Sequence, residues 1–223
     1  MKTQIISTVQ KKGGSAKTTN NIAMATRMIN DGAKIAFIDT DESMNLYKWC
    51  KKEKMEFDYQ LVRDKDLIKP TIKAMSKKGY DAIFIDTGGY ESPISIYTIA
   101  NSDLVFIPCK PDESSVRDAV STYKTTVSVC DNFEKVIPTF VIMSDIDIRT
   151  NIAQKCIKAI KSRDIPMLKS HFGSSVGFKS MMTIGKEPKD KTSKKYLDSV
   201  MCELQMNKLI TYYNEVNLAK RVA

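Results

Sequence analysis

The run Gln10-Lys11-Lys12-Gly13-Gly14-Ser15-Ala16-Lys17-Thr18-Thr19 constrains this chain more than any other stretch. An apolar, strand-like segment with Ile5, Ile6 and Val9 leads into it. A helical pattern with Ile22, Ala25, Met28 and Ile29 follows it. A glycine-rich turn between strand and helix, ending in Lys-Thr, is suited to hold a nucleotide's phosphates. Backbone N–H groups at the helix start point at the phosphates, the lysine adds a point charge, and the threonine hydroxyl can bind Mg²⁺. The pattern G-x-x-x-x-G-K-[ST] is broken twice, because Lys11 and Ala16 occupy its two glycine positions. If position 16 needs a positive φ, a non-glycine residue there costs about 1–2 kcal/mol, about tenfold if expressed in nucleotide affinity.

Beyond this loop, short apolar runs alternate with helical patterns. Gly32 reads as the stop of the first helix. The segment 34–39 suits a strand buried on both faces, and it ends in the acids Asp39, Asp41 and Glu42. Residues 44–54 suggest a short helix carrying Trp49, 57–62 a minor edge strand, and 65–78 a helix made irregular by Pro70 and closed by Gly79. Tyr80 to Ile85 is a further apolar strand running into Asp86-Thr87-Gly88-Gly89, the form of a metal-holding acid followed by a loop that approaches a γ-phosphate. Strands are also expected at 102–108, 136–143 and 165–169, and helices at 115–130, 152–161 and 193–213. Residues 173–191 read as a mobile connection. The pattern predicts an α/β fold: a mostly parallel, twisted sheet with helices on both faces, its glycine and acid clusters on one edge.

With 223 residues the chain fits one domain, 1–223. Nothing in it approaches the roughly 18 apolar residues of a membrane span. The sequence enters its first strand at once, which leaves no room for a signal peptide or a leading DNA-reading domain. Its tail, 214–223, has too little apolar face to anchor a helix on a membrane. Five scattered cysteines without a CxxC pair read as free thiols of the cytoplasm, and one His171 cannot anchor a metal cluster. The net charge of +9 is unevenly placed. Residues 1–148 hold 20 Lys+Arg and 20 Asp+Glu, whereas 149–223 hold 15 and 6. A basic last third points to a polyanion partner, with Lys155, Lys158 and Lys161 at helical spacing, Lys179 and Lys186, and Lys194 and Lys195 as candidate DNA contacts.

The loop at 11–19, Asp-Thr-Asp at 39–41, the Asp86 strand and Ser-Asp-Leu-Val-x-Ile-Pro at 102–108 together resemble the ParA/MinD family of deviant Walker A ATPases. The short length resembles small plasmid-partition (ParF-like) members. Ala119-Val120-Ser121-Thr122-Tyr123 is similar to the VirC-type ATPases of T-DNA transfer. The resemblance implies ATP and Mg²⁺ as cofactors and a homodimer enclosing two ATP molecules. Lys12 would be the signature lysine that reaches the partner's phosphates, and Lys17 the P-loop lysine. Gly13, Gly14, Ser15, Ala16 and Thr19 would complete the phosphate loop, and Pro111 would pack near adenine. Thr18, Asp39 and Asp86 would serve the metal, and Asp41 hydrolysis. It also implies a weak, partner- and dimer-stimulated ATPase, bound non-specifically to DNA and nucleoid-associated. Its partner would be a small ParB-like adaptor, and its role DNA partition. A VirC-like ATPase of conjugative transfer is the alternative, and a metabolic enzyme of the same superfamily the third reading. Ser115 stands where relatives often carry Asp.

Overall fold

The computed structural model describes residues 2–52, 58–89, 92–184 and 187–210. Seven strands form one sheet: β1 Gln4–Thr8, β2 Ile35–Asp39, β3 Tyr59–Leu61, β4 Ala82–Asp86, β5 Leu104–Cys109, β6 Thr139–Ile146 and β7 Phe172–Gly173. Their order is β3-β2-β4-β1-β5-β6-β7, and every pairing is parallel. The central strands are buried along their whole length, which is why they read as continuous apolar runs rather than alternating ones.

Eight helices among the described residues cover the sheet: α1 Lys17–Asn30, α2 Asn45–Lys52, α3 Lys65–Ser76, α4 Pro93–Ala100, α5 Glu113–Asn132, α6 Asn151–Lys161, α7 Val176–Ile184 and α8 Lys191–Met206. Alternate strand residues divide the core. Ile6, Phe37, Phe84 and Phe106 face α1, α2, α7 and α8. On the other side, Ile5, Ile38, Ile83, Val105 and Ile107 face α3 to α6. The α/β architecture anticipated from the pattern is therefore the observed one.

Three expectations fail. Residues 165–169 contribute only an isolated bridge, Met167 to Val141, and the edge strand comes later at β7. The connection 173–191 contains α7, ordered because Phe178 and Met181 bury their side chains against α1 and the sheet. Polar Gly-Ser-Lys composition concealed that apolar pair. The short α4, capped by Ser92 with Pro93 in its first turn, was not anticipated at all. Pro70 lies inside α3 without ending it, and α8 stops at Met206 rather than 213. The tail 214–223 lies outside the described residues. No helix among the described residues is long and apolar enough to cross a membrane.

Candidate nucleotide site

Five helices begin with a capping side chain: Asp64 for α3, Ser92 for α4, Asp112 for α5, Thr150 for α6 and Asp190 for α8 each accept a backbone N–H. Helix α1 does not. Its N-cap is Ala16, at φ 75 and ψ 19, with no side-chain cap bond. The first N–H groups of α1 therefore face outward without a side-chain acceptor, at the positive end of a helix dipole. Gly14 also holds a positive φ of 70. A Cβ on Gly89 would lie 3.0 Å from the Gly13 nitrogen, so the loop after β4 rests on the phosphate loop only because position 89 is glycine.

These segments open onto a cavity of about 850 Å³ at the carboxyl edge of the sheet. Its floor is residues 13–20, and Asp41 and Gly89 stand on one side. The Ser15 hydroxyl is buried there and has no hydrogen-bond partner among the described residues. Lys17 is buried and donates to the carbonyls of Gln10, at 3.2 Å, and Lys12, at 3.3 Å. Burial lowers its ammonium below the ordinary lysine value, and the charges of Asp86 and Asp41 partly offset this.

Thr18 Oγ1 donates to Asp86 Oδ2 at 2.5 Å, and Asn21 Nδ2 donates to Asp86 Oδ1 at 3.1 Å. Burial pushes the Asp86 carboxyl up to about 7, against the lowering effect of the Thr18 bond. A hydroxyl and a carboxylate side by side next to a phosphate loop are hard oxygen donors suited to Mg²⁺. Asp39 is placed differently. Its oxygens accept from the N–H groups of Asp41, at 2.9 Å, and Tyr47, at 2.8 Å. Like Asp86 it is buried and not among the lining residues; it shapes the loop that presents Asp41. Burial raises its carboxyl, and those two N–H groups oppose the rise.

The far end of the cavity is walled by Lys110, Asp145, Phe172, Phe178, Lys179 and Met182. Pro111, expected near a base, is not among the lining residues; its neighbour Lys110 is, paired with Asp145 at 3.2 Å. Burial opposes ionisation of Asp145, but bonds from Ser174 and Lys110 hold its carboxyl below the ordinary value. Sequence reasoning passed over Lys110 and Asp145, although each follows or closes a strand at the edge where such sheets keep ligands. Lys179, expected on the basic surface, stands in this wall.

Lys12 points out of the cavity. Its Nζ donates to Asp112 Oδ1 at 2.9 Å, Ser114 Oγ at 2.6 Å and Ser115 Oγ at 3.2 Å, at the start of α5. Burial works against the Asp112 charge, but the bonds from Ser114, Ser115 and Lys12 hold its carboxyl well below the usual carboxylate range. Ser115, where Asp was the expected residue, thus serves this cluster.

The remaining candidate DNA lysines are exposed. Lys155, Lys158 and Lys161 stand on α6, and Lys194 and Lys195 on α8, helices that cover opposite faces of the sheet. Within one chain they do not form a single patch. Lys186 lies outside the described residues.

An uncapped helix start, a buried lysine and a Thr–Asp oxygen pair at the carboxyl edge of a parallel sheet are the arrangement of a P-loop phosphate site, in the P-loop NTPase fold of the ParA/MinD proteins. A Cyanothece McdA variant solved as an ATP complex superposes with a TM-score of 0.78 at 16% identity, over 96% of this chain and 99% of that one. A plasmid partition protein of Borrelia burgdorferi B31 bound to AMPPNP superposes with a TM-score of 0.72 at 15% identity, over 92% and 100%. The chain belongs to the VirC1 family, whose model, described as VirC1 protein, matches residues 3–210. Protein virC1 of Rhizobium radiobacter is 26% identical over 145 residues, 62% of this chain and 63% of that protein, so the match spans under two thirds of that relative.

Proposed function

We propose that this chain is an ATP-driven DNA partition or transfer switch. In this reading ATP occupies the cavity, two copies pair around it, and the pair holds DNA without sequence preference until a ParB-like adaptor stimulates hydrolysis. The observation that carries the reading is the uncapped start of α1. It leaves backbone donors and the buried Ser15 hydroxyl facing a cavity that also holds Lys17. Thr18 and Asp86 would hold Mg²⁺, which when bound neutralises phosphate charge.

Phosphoryl transfer to water asks the protein for positioning and charge stabilisation more than for covalent chemistry. Lys17 lines the cavity and would stabilise charge on the phosphate oxygens of a bound nucleotide. Asp41, at the rim beside Gly89, orients the attacking water. Lys12 is outside its own cavity, held by Asp112, Ser114 and Ser115, and would exchange those bonds for a partner's phosphates, so turnover depends on pairing. That dependence suits a switch. The VirC1 match favours action at a conjugation origin, and the B. burgdorferi neighbour favours plasmid partition.

Fluorescent ATP-analogue binding and phosphate release test this reading. Lys17→Ala abolishes nucleotide binding. Asp41→Ala binds ATP but hydrolyses it at least about 100-fold more slowly, the scale of losing a positioned catalytic group. Nucleotide binding retained by Lys17→Ala, or unchanged turnover in Asp41→Ala, contradicts it.

A further inference from the structure

Helix α3 carries lysines in steps of four: Lys65, Lys69, Lys73, and Lys77 at its C-cap. At a rise of about 1.5 Å per residue, neighbours are about 6 Å apart and drift only about 40° around the axis, so they form a line along one side. Lys69, Lys73 and Lys77 are exposed. The apolar side of α3, Ile68 and Met75 with Ile72, is turned into the core under the sheet. Lys65 is committed elsewhere, 2.7 Å from Asp66 and over the Tyr97 ring. Among the described residues, no carboxylate pairs with Lys69, Lys73 or Lys77.

That last point separates this helix from an ordinary solvated one. An acid three or four residues from a lysine stabilises a surface helix, whereas like charges at that spacing destabilise it. Residues 63–78 hold six Lys+Arg and two Asp, and both acids precede residue 67. The zero net charge of residues 1–148 therefore conceals a local basic line. At its head, Arg63 and Lys65 line a second cavity of about 740 Å³ with Thr40, Glu42, Gly88 and Ser92. Arg63 Nη2 donates to the Glu42 carbonyl at 3.3 Å, one residue from Asp41. The line thus leads to the two loops that flank the nucleotide cavity.

We propose that α3 is a DNA-backbone contact of its own, its lysines Lys69, Lys73 and Lys77 taking phosphates along one strand; this rests on the DNA reading above but not on the basic last third. A unit charge about every 6 Å matches successive phosphates of one strand, which an axial rise of about 3.4 Å and the winding of the duplex set roughly 6–7 Å apart through space. An unpaired row of like charges gains most from a partner that supplies regular counter-charge. A lipid surface fits less well, because Ile68, Ile72 and Met75 are spent on the core and Leu67 is the one large apolar side chain that α3 leaves exposed among the described residues, too little to insert. The row lies on the same sheet face as α6, separated from it by α4 and α5.

The test is anisotropy on two unrelated fluorescent duplexes with ATP, at salt from about 50 to 200 mM. It compares wild type, Lys69→Gln with Lys73→Gln and Lys77→Gln, and Lys155→Gln with Lys158→Gln and Lys161→Gln. The α3 variant is expected to lose about 2.7 from the log–log salt slope, so that its affinity falls about 40-fold less than wild type across that range. Its nucleotide affinity is expected to be unchanged, which also certifies its fold. Wild-type affinity and slope in the α3 variant, with loss in the α6 variant, overturn the proposal while leaving the DNA reading intact. Absence of duplex binding by wild type overturns both. Loss of binding to phosphatidylserine vesicles with duplex binding unaffected makes the occupant a membrane and also overturns it.

Discussion

At the residue scale, Ala16 settles a question that its sequence position raises. The left-handed conformation that a glycine would adopt at no steric cost is imposed on alanine, at about 1–2 kcal/mol. The folded loop itself carries this strain, so its relief belongs to folding stability and not, as expected from sequence, to nucleotide affinity. Glycine returns about 0.4–1 kcal/mol of that through the freer unfolded chain. Ala16→Gly is therefore predicted to stabilise the protein by about 1 kcal/mol or slightly less in urea melts, with nucleotide affinity within about threefold. A destabilised variant would mean the loop does not hold this conformation. The residues legible in sequence were those whose chemistry is tied to local spacing: Lys17, Thr18 and Asp86. Lys110 and Asp145 were not legible, because strands far apart in the chain bring them together.

At the scale of elements, the start of α5 joins a cap to Lys12, the lysine proposed to reach a partner. Asp112 accepts from Ser115 N at 2.8 Å and from Ser115 Oγ at 2.7 Å while holding Lys12. Removing such a cap costs about 1 kcal/mol, and Asp112→Ala is predicted to do so in urea melts near neutral pH. The folded carboxyl titrates below its ordinary value, so its contribution is complete above the unfolded value near pH 4. It is lost as pH falls below that. The gap between wild type and Asp112→Ala should accordingly narrow from pH 5 toward pH 3, and a gap that widens there would refute the assignment. Helices with a long apolar stripe, α1 and α8, were readable in sequence. The short α4 and α7 were not: α4 is apolar nearly throughout, so no polar face marks its period, and Gly177 lies within α7.

For the whole molecule, the sheet was legible because central parallel strands must be continuous apolar runs, and this chain has four of them. The distribution of charge was less so. A count along the chain placed all excess charge in the last third, but folding sends α6 and α8 to opposite faces and sets the lysine line of α3 beside neither. Sequence order is a poor guide to surface charge once helices alternate between faces. In the proposed function, nucleotide in the cavity governs pairing through Lys12, which points away from its own site. Light scattering of wild type and Lys12→Ala with Mg²⁺ and either ATP or ADP tests it most directly. The expected result is a doubling of mass for wild type in ATP alone, with Lys12→Ala remaining at about 25.1 kDa in both nucleotides while still binding ATP. Equal mass for wild type in ATP and ADP, or an undiminished dimer from Lys12→Ala, would contradict it.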